Sequence, residues 1–86
     1  MSEQEVIVQA QKVKKRYESQ LLKKANVVSV GIGYRERRGK LTDEIVLVVN
    51  VSTKIPRSQL AGDDVVPGII EGVPVDVREV GQMKAW

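Results

Sequence analysis

Apolar and polar positions alternate with two different periods along this chain, and the change of period divides it into elements. Val6, Ala10, Val13, Tyr17, Leu21 and Ala25 recur every three or four residues, the spacing of one apolar stripe on an amphipathic helix. Ser2 and Glu5 stand three apart just before that stripe, as in a capping box, where hydroxyl and carboxylate satisfy free amides at a helix start. Asn26 suits its end. The pattern predicts a helix over about residues 3–25, with Lys12, Lys14, Lys15, Arg16, Lys23 and Lys24 over much of its remaining surface.

From Val27 the period falls to two. Val28, Val30, Ile32 and Tyr34 alternate with Ser29, Gly31, Gly33 and Arg35, which predicts a strand over about 27–37 with one bulky face and one nearly bare one. The bare face lets another backbone approach closely. After a turn around Arg38, Gly39 and Lys40, a second strand over about 44–54 carries Ile45, Leu47, Val49 and Val51 on one side and Val46 and Val48 on the other. Apolarity on both sides points to a central strand, and Pro56 ends it.

Residues 57–72 read as a connector, with a short helical turn at Arg57–Ala61 and with Gly62, Pro67, Gly68 and Gly72 as breakers. A third strand over about 73–80 follows Val73, Val75 and Val77, and Pro74 pushes it toward a sheet edge. Residues 82–86 show no pattern. The expected architecture is one α+β domain: a long helix on a small, largely antiparallel three-stranded sheet, in the order helix, strand, strand, short helical turn, strand. Val30, Ile32, Leu47, Val49, Val75 and Val77 are the residues expected to carry it.

Composition narrows the chemistry. The 86 residues include no Cys, no His and no Phe, and a single Trp. A chain of this length buries roughly 60 to 65% of the surface its unfolded form exposes, so one aliphatic core must hold it without disulfides. Lack of Cys and His removes thiolate catalysis, sulfur- or imidazole-ligated metal and the commonest general base. The amino-terminal stretch is polar and acidic, unlike a secretory signal, and the run Ile45–Val49 is too short to span a bilayer. A cytoplasmic protein without a membrane contact is the default expectation.

Net charge is +3 and unevenly placed, ten Lys/Arg against five Asp/Glu in residues 1–43 and four against six in residues 44–86. Lys14, Lys15 and Arg16 on the helix, with Arg35, Arg37 and Arg38 at the hairpin tip, form a candidate basic contact surface for phosphates, beside Tyr34 as a stacking ring. One tyrosine is a poor platform for single strands. Gly31 and Gly33 begin a G-x-G, but Glu36 stands where the third glycine of a dinucleotide fingerprint belongs and no helix follows. Asp43–Glu44 and Asp63–Asp64 are paired carboxylates without the spacing of a calcium loop, and fit turns or surface. Ser29, Ser52 and Ser58 lack a nearby activating lysine or a G-x-S-x-G elbow. The edge of so small a sheet is a different kind of candidate, since unpaired backbone groups accept a strand from a partner or another copy.

The order of Val-Gly-x-Gly-Tyr at residues 30–34, Thr-x-Glu at 42–44 before an aliphatic strand, Lys-x-Pro at 54–56 and Gly-Val-Pro-Val-Asp-Val at 72–77 resembles a known family. It is similar to the small amino-terminal region that precedes a trypsin-like serine peptidase domain in a group of bacterial proteins, over about Leu21 to Gly81. In that family the peptidase domain supplies the catalytic histidine, aspartate and serine, and none of these has a position here. The resemblance implies an accessory or pro-region-like module without activity of its own. Taken together, the expected function is a non-catalytic, protein-binding accessory module using a sheet edge, by pairing with a partner or with itself. The alternative is a weak nucleic-acid binder using the basic residues above. No cofactor, metal or catalytic residue is expected.

Overall fold

The hydroxyl half of the expected capping box forms, while the Glu5 carboxylate takes the Ser2 hydroxyl rather than its backbone amide. In the computed structural model, which describes residues 2–53, 55, 59, 62 and 65–80, Ser2 is the N-cap of helix α1 (Glu3–Leu22). Its Oγ accepts the Glu5 N–H at 3.2 Å and its hydroxyl donates to Glu5 Oε1 at 3.2 Å. The helix stops at Leu22 rather than Ala25. Asn26 nonetheless governs the exit: with φ of 77° it takes the left-handed conformation that asparagine tolerates. Its side chain then binds Ser52 and the backbone of Thr53, clasping the start of the first strand to the end of the second.

Four strands follow: β1 (Val27–Arg37), β2 (Lys40–Val51), β3 (Ile69–Ile70) and β4 (Val73–Glu79). Their order across the sheet is β1-β2-β4-β3. The α+β class and the central place of β2 are as the pattern predicts, but the sheet has four strands and is mixed. β2 pairs antiparallel with β1 and parallel with β4, from Leu47 opposite Val75 to Val51 opposite Glu79. Parallel neighbours need a crossover of a dozen or more residues, and residues 52–72 supply it. The added strand β3 is two residues long and pairs with β4 across a tight turn, Glu71–Gly72, both at positive φ.

Pro74 is accommodated without an edge position on the β2 side, because it stands one residue before the ladder with β2 begins. β2 ends at Val51 rather than Lys54, with Ser52 and Thr53 already in a bend. Lys54, Pro56, Ser58, the rest of the expected turn at 57–61 apart from Gln59, the Asp63–Asp64 pair and the tail 82–86 lie outside the described residues.

Helix and sheet meet over one aliphatic cluster. Ala10, Val13 and Leu21 pack on Ile45, Leu47, Val49, Val51, Ile70, Val73 and Val75, with Val6, Tyr17, Val30, Ile32 and Val77 partly buried around them. The odd-numbered side of β2 makes this core. Its even-numbered side is also closed: Val46 is 0% and Val48 6% exposed, yet neither belongs to the helix-side cluster. Gly31 and Gly33 lie opposite them in register. A Cβ on Gly33 would meet the Val48 Cγ2 methyl at 3.4 Å, an ordinary contact, and one on Gly31 would meet nothing within 4 Å, so the close backbone approach expected of the bare face does not occur at either glycine.

Two irregularities bend the β1–β2 hairpin, one with its extra residue on β1 and one with its extra residues on β2. The register slips between Val27 and Ser29, so Val27 packs on the core and Val28 is left exposed, the reverse of simple alternation. A second slip sets Arg35 alone against residues 42–44 of β2, because Tyr34 pairs with Ile45 and Glu36 with Leu41. Extra residues on one strand bend it and increase its twist.

Candidate functional site

The hairpin turn decides which backbone groups of β1 are committed. Arg38 and Gly39 form a two-residue turn with φ of 52° and 78°, and Arg37 pairs with Lys40 across it. In such a hairpin the closing residues exchange both hydrogen bonds. Arg37 and Arg35 therefore aim their N–H and C=O at β2, and the Arg35 C=O does accept Thr42 Oγ1 at 2.8 Å. Even-numbered residues face the other way. Glu36, Tyr34, Ile32 and Val30 thus present their backbone groups along the outer edge, where no strand pairs with β1.

The far end of that edge is taken by β4. The Glu36 N–H donates to Asp76 Oδ2 at 3.0 Å, the Tyr34 C=O accepts from the Arg78 guanidinium, and Arg78 Nε donates to Asp76 Oδ2 at 3.1 Å. Asp76 and Arg78 sit two apart on β4 and so share one face, the face of Val48 and Asn50, their register partners on β2. They reach β1 across β2, which requires the bent hairpin to curl over that face. Burial alone would raise the Asp76 pKa, but the Glu36 N–H, Arg78 and the charge of Arg35 outweigh it and hold the carboxyl below its usual value.

The near end of the edge is different. No hydrogen bond to the outward N–H or C=O of Val30 or Ile32 is formed among the described residues.

The six basic residues are not gathered into one surface. Lys14 pairs with Glu18 at 2.8 Å, Arg16 with Glu71 at 2.8 Å, and Arg35 with Glu44. Lys14 and Arg16 stand about 200° apart around the helix, so they flank opposite sides of it. Lys15, Arg37 and Arg38 are exposed and make no side-chain hydrogen bond or ion pair among the described residues. The Tyr34 hydroxyl donates to Glu3 Oε1 at 2.9 Å, which places a carboxylate beside the ring. That hydrogen bond, the charge of Glu3, burial and Asp43 together raise its pKa.

Asp43 and Glu44 line an open hollow of about 800 Å³ with Glu3 and Tyr34 on its rim and Val6, Leu41, Ile45 and Pro74 among its walls. Among the described residues no group of three or more acidic side chains is placed to hold a metal ion. No helix among them is long and apolar enough to cross a membrane. Ser29 receives a hydrogen bond from the Asn50 amide at 3.0 Å and Ser52 donates to Asn26; both hydroxyls serve strand ends.

Asp76 and Arg78 were not singled out by the sequence pattern, although Asp-x-Arg on a strand places both charges on one face. What the pattern lacked was the parallel pairing of β4, which brings that face beside the curled hairpin. Compared with known protein families and with curated proteins, the chain matches no family model and no curated protein.

Proposed function

We propose that this chain is a non-catalytic accessory module that binds a protein partner by strand addition along the outer edge of β1. The observation that carries the reading is the unengaged pair of residues at that edge, Val30 and Ile32, whose N–H and C=O groups point away from β2 and meet no partner among the described residues. An extended segment laid against them gains main-chain hydrogen bonds without displacing any. The segment from Val28 to Gly33 carries no charge and no proline, two of the devices by which sheet edges usually repel strands. An accessory role also fits the resemblance to the region preceding a trypsin-like peptidase domain, whose catalytic residues have no counterpart here.

The nucleic-acid reading is the weaker one. Three of its six residues are engaged in ion pairs, and the Glu3 carboxylate stands beside its aromatic ring.

Val30→Pro tests the proposal, since it deletes one outward N–H and leaves the ladder with β2 intact. A protein captured from native extract by the wild-type chain should be lost with the variant, and should slow amide exchange at Val30 and Ile32 on the wild type. Unchanged exchange at both residues in the complex would overturn the reading. Binding of mixed DNA and RNA in low salt, falling steeply as salt rises, would replace it with the nucleic-acid alternative.

A further inference from the structure

Asp76 and Arg78 do more than tie two strands together. In a parallel ladder one residue of the incoming strand donates its N–H to the C=O of residue i−1 and accepts with its C=O from the N–H of residue i+1. Tyr34 C=O and Glu36 N–H are such a pair about Arg35, and they are met by a guanidinium donor and a carboxylate acceptor. The two side chains are joined to each other at 3.1 Å, so they present donor and acceptor as one unit. Their charges strengthen both bonds over neutral ones. We infer that Asp76 and Arg78 stand in for one residue of a pairing strand and guard the β1 edge against pairing with a second copy of this chain.

A second copy is the occupant the edge itself specifies. If two β1 edges meet antiparallel about Gly31, Val30 faces Ile32 of the other copy, and the next pair brings Val28 opposite Tyr34. Arg35 then opposes uncharged Val27, Arg37 lies beyond the start of the other β1, and the bare Gly31 lies on the axis. A parallel in-register pairing would stack Arg35 on Arg35 and Arg37 on Arg37, which like charges directly opposite disfavour. The antiparallel arrangement is therefore the one to be guarded against, and its extension past Ile32 requires the Tyr34 C=O that Arg78 holds. With the pair in place, self-pairing is confined to Val30 and Ile32. Without it, the pairing extends to Tyr34 opposite Val28 and leaves the Glu36 N–H to water.

This inference rests on the outward direction of the even-numbered residues, as the proposed function does, but its readout involves no foreign partner. Sedimentation of the full chain across a concentration series should show the self-association constant rising on the order of tenfold or more in the D76A/R78A double variant, because each recovered backbone hydrogen bond adds to the pairing. Amide exchange at Glu36 should quicken in the same variant while that at Gly31 and Gly33 stays slow. Unchanged self-association, or unchanged Glu36 exchange, overturns the guard. Should the double variant fail to fold, Arg78→Lys, which keeps the charge but replaces the forked donor at the Tyr34 C=O by a single ammonium, carries the self-association readout, and Asp76→Ala, which removes the acceptor of the Glu36 N–H, carries the exchange readout. Loss of partner capture in Val30→Pro would leave this result untouched, and failure of the guard would leave that one untouched.

Discussion

The two faces of the sheet are closed by different physics. On the helix side, α1 lies across the sheet and the contact is aliphatic: Leu47 and Val49 are 0% exposed among Ala10, Val13, Leu21 and Val75. On the other side Val46 and Val48 are buried outside that aliphatic cluster, and the hairpin end is tied to β4 through Asp76 and Arg78, which share their face. The first closure is non-directional and holds the fold. The second is directional, uses charged groups, and also determines how much of the β1 edge is open to another strand.

The largest expected difference lies in the core. Leu47→Ala should cost about 2–5 kcal/mol in denaturant unfolding, from lost transfer energy and the cavity left behind. Asp76→Ala should cost less, roughly 1–3 kcal/mol, the range for stranding a donor that had a charged partner, because Arg78 and the Glu36 N–H regain water at this partly exposed site. A cost equal to that of Leu47→Ala would mean the polar side is as central to the fold as the helix side.

The two faces also differ in their response to acid. Because the folded state holds the Asp76 carboxyl below its usual pKa, that group's contribution is fully present above the unfolded value of about 3.9. It is lost as pH falls through the lower folded value. Stability of the wild type should therefore drop below about pH 4 more steeply than that of Asp76→Asn, and identical acid limbs in urea titrations would contradict the assignment. Ser2→Ala, which removes the helix cap, should cost about 0.5–2 kcal/mol without altering exchange at Glu36. At the small end, Glu3→Gln should bring the ionisation of Tyr34 to lower pH in a spectrophotometric titration, since the hydrogen bond to Glu3 and its charge are the leading causes of the raised value.

What the sequence made legible follows the same division. The apolar side could be read directly: the stripe Val6, Ala10, Val13, Tyr17 and Leu21 and the double-sided apolarity of β2 depend only on local period, and the structure places both where that period demands. The polar side depends on relations between distant segments. β4 pairs parallel with β2, and no local pattern distinguishes a strand that returns parallel from one that returns antiparallel. Ile69–Ile70 is too short to show a period. The slips at Val27 and Arg35 break the alternation that would otherwise assign Val28 to the core. An unpaired edge was foreseeable from so small a sheet, but the ties upon it needed the register, since Asp76 and Arg78 act there only by lying beside Tyr34 and Glu36 in space. The basic residues failed as a group for a similar reason. Adjacency of Lys14 and Arg16 in sequence turns into opposition around a helix.

The most direct test of the account is amide hydrogen exchange, residue by residue, along β1 of the free protein. Gly31 and Gly33 should be protected by β2, Val30 and Ile32 should exchange quickly from an open edge, and Glu36 should be protected in the wild type and lose that protection in Asp76→Ala. Protection of Val30 and Ile32 equal to that of Gly31 and Gly33 would contradict it.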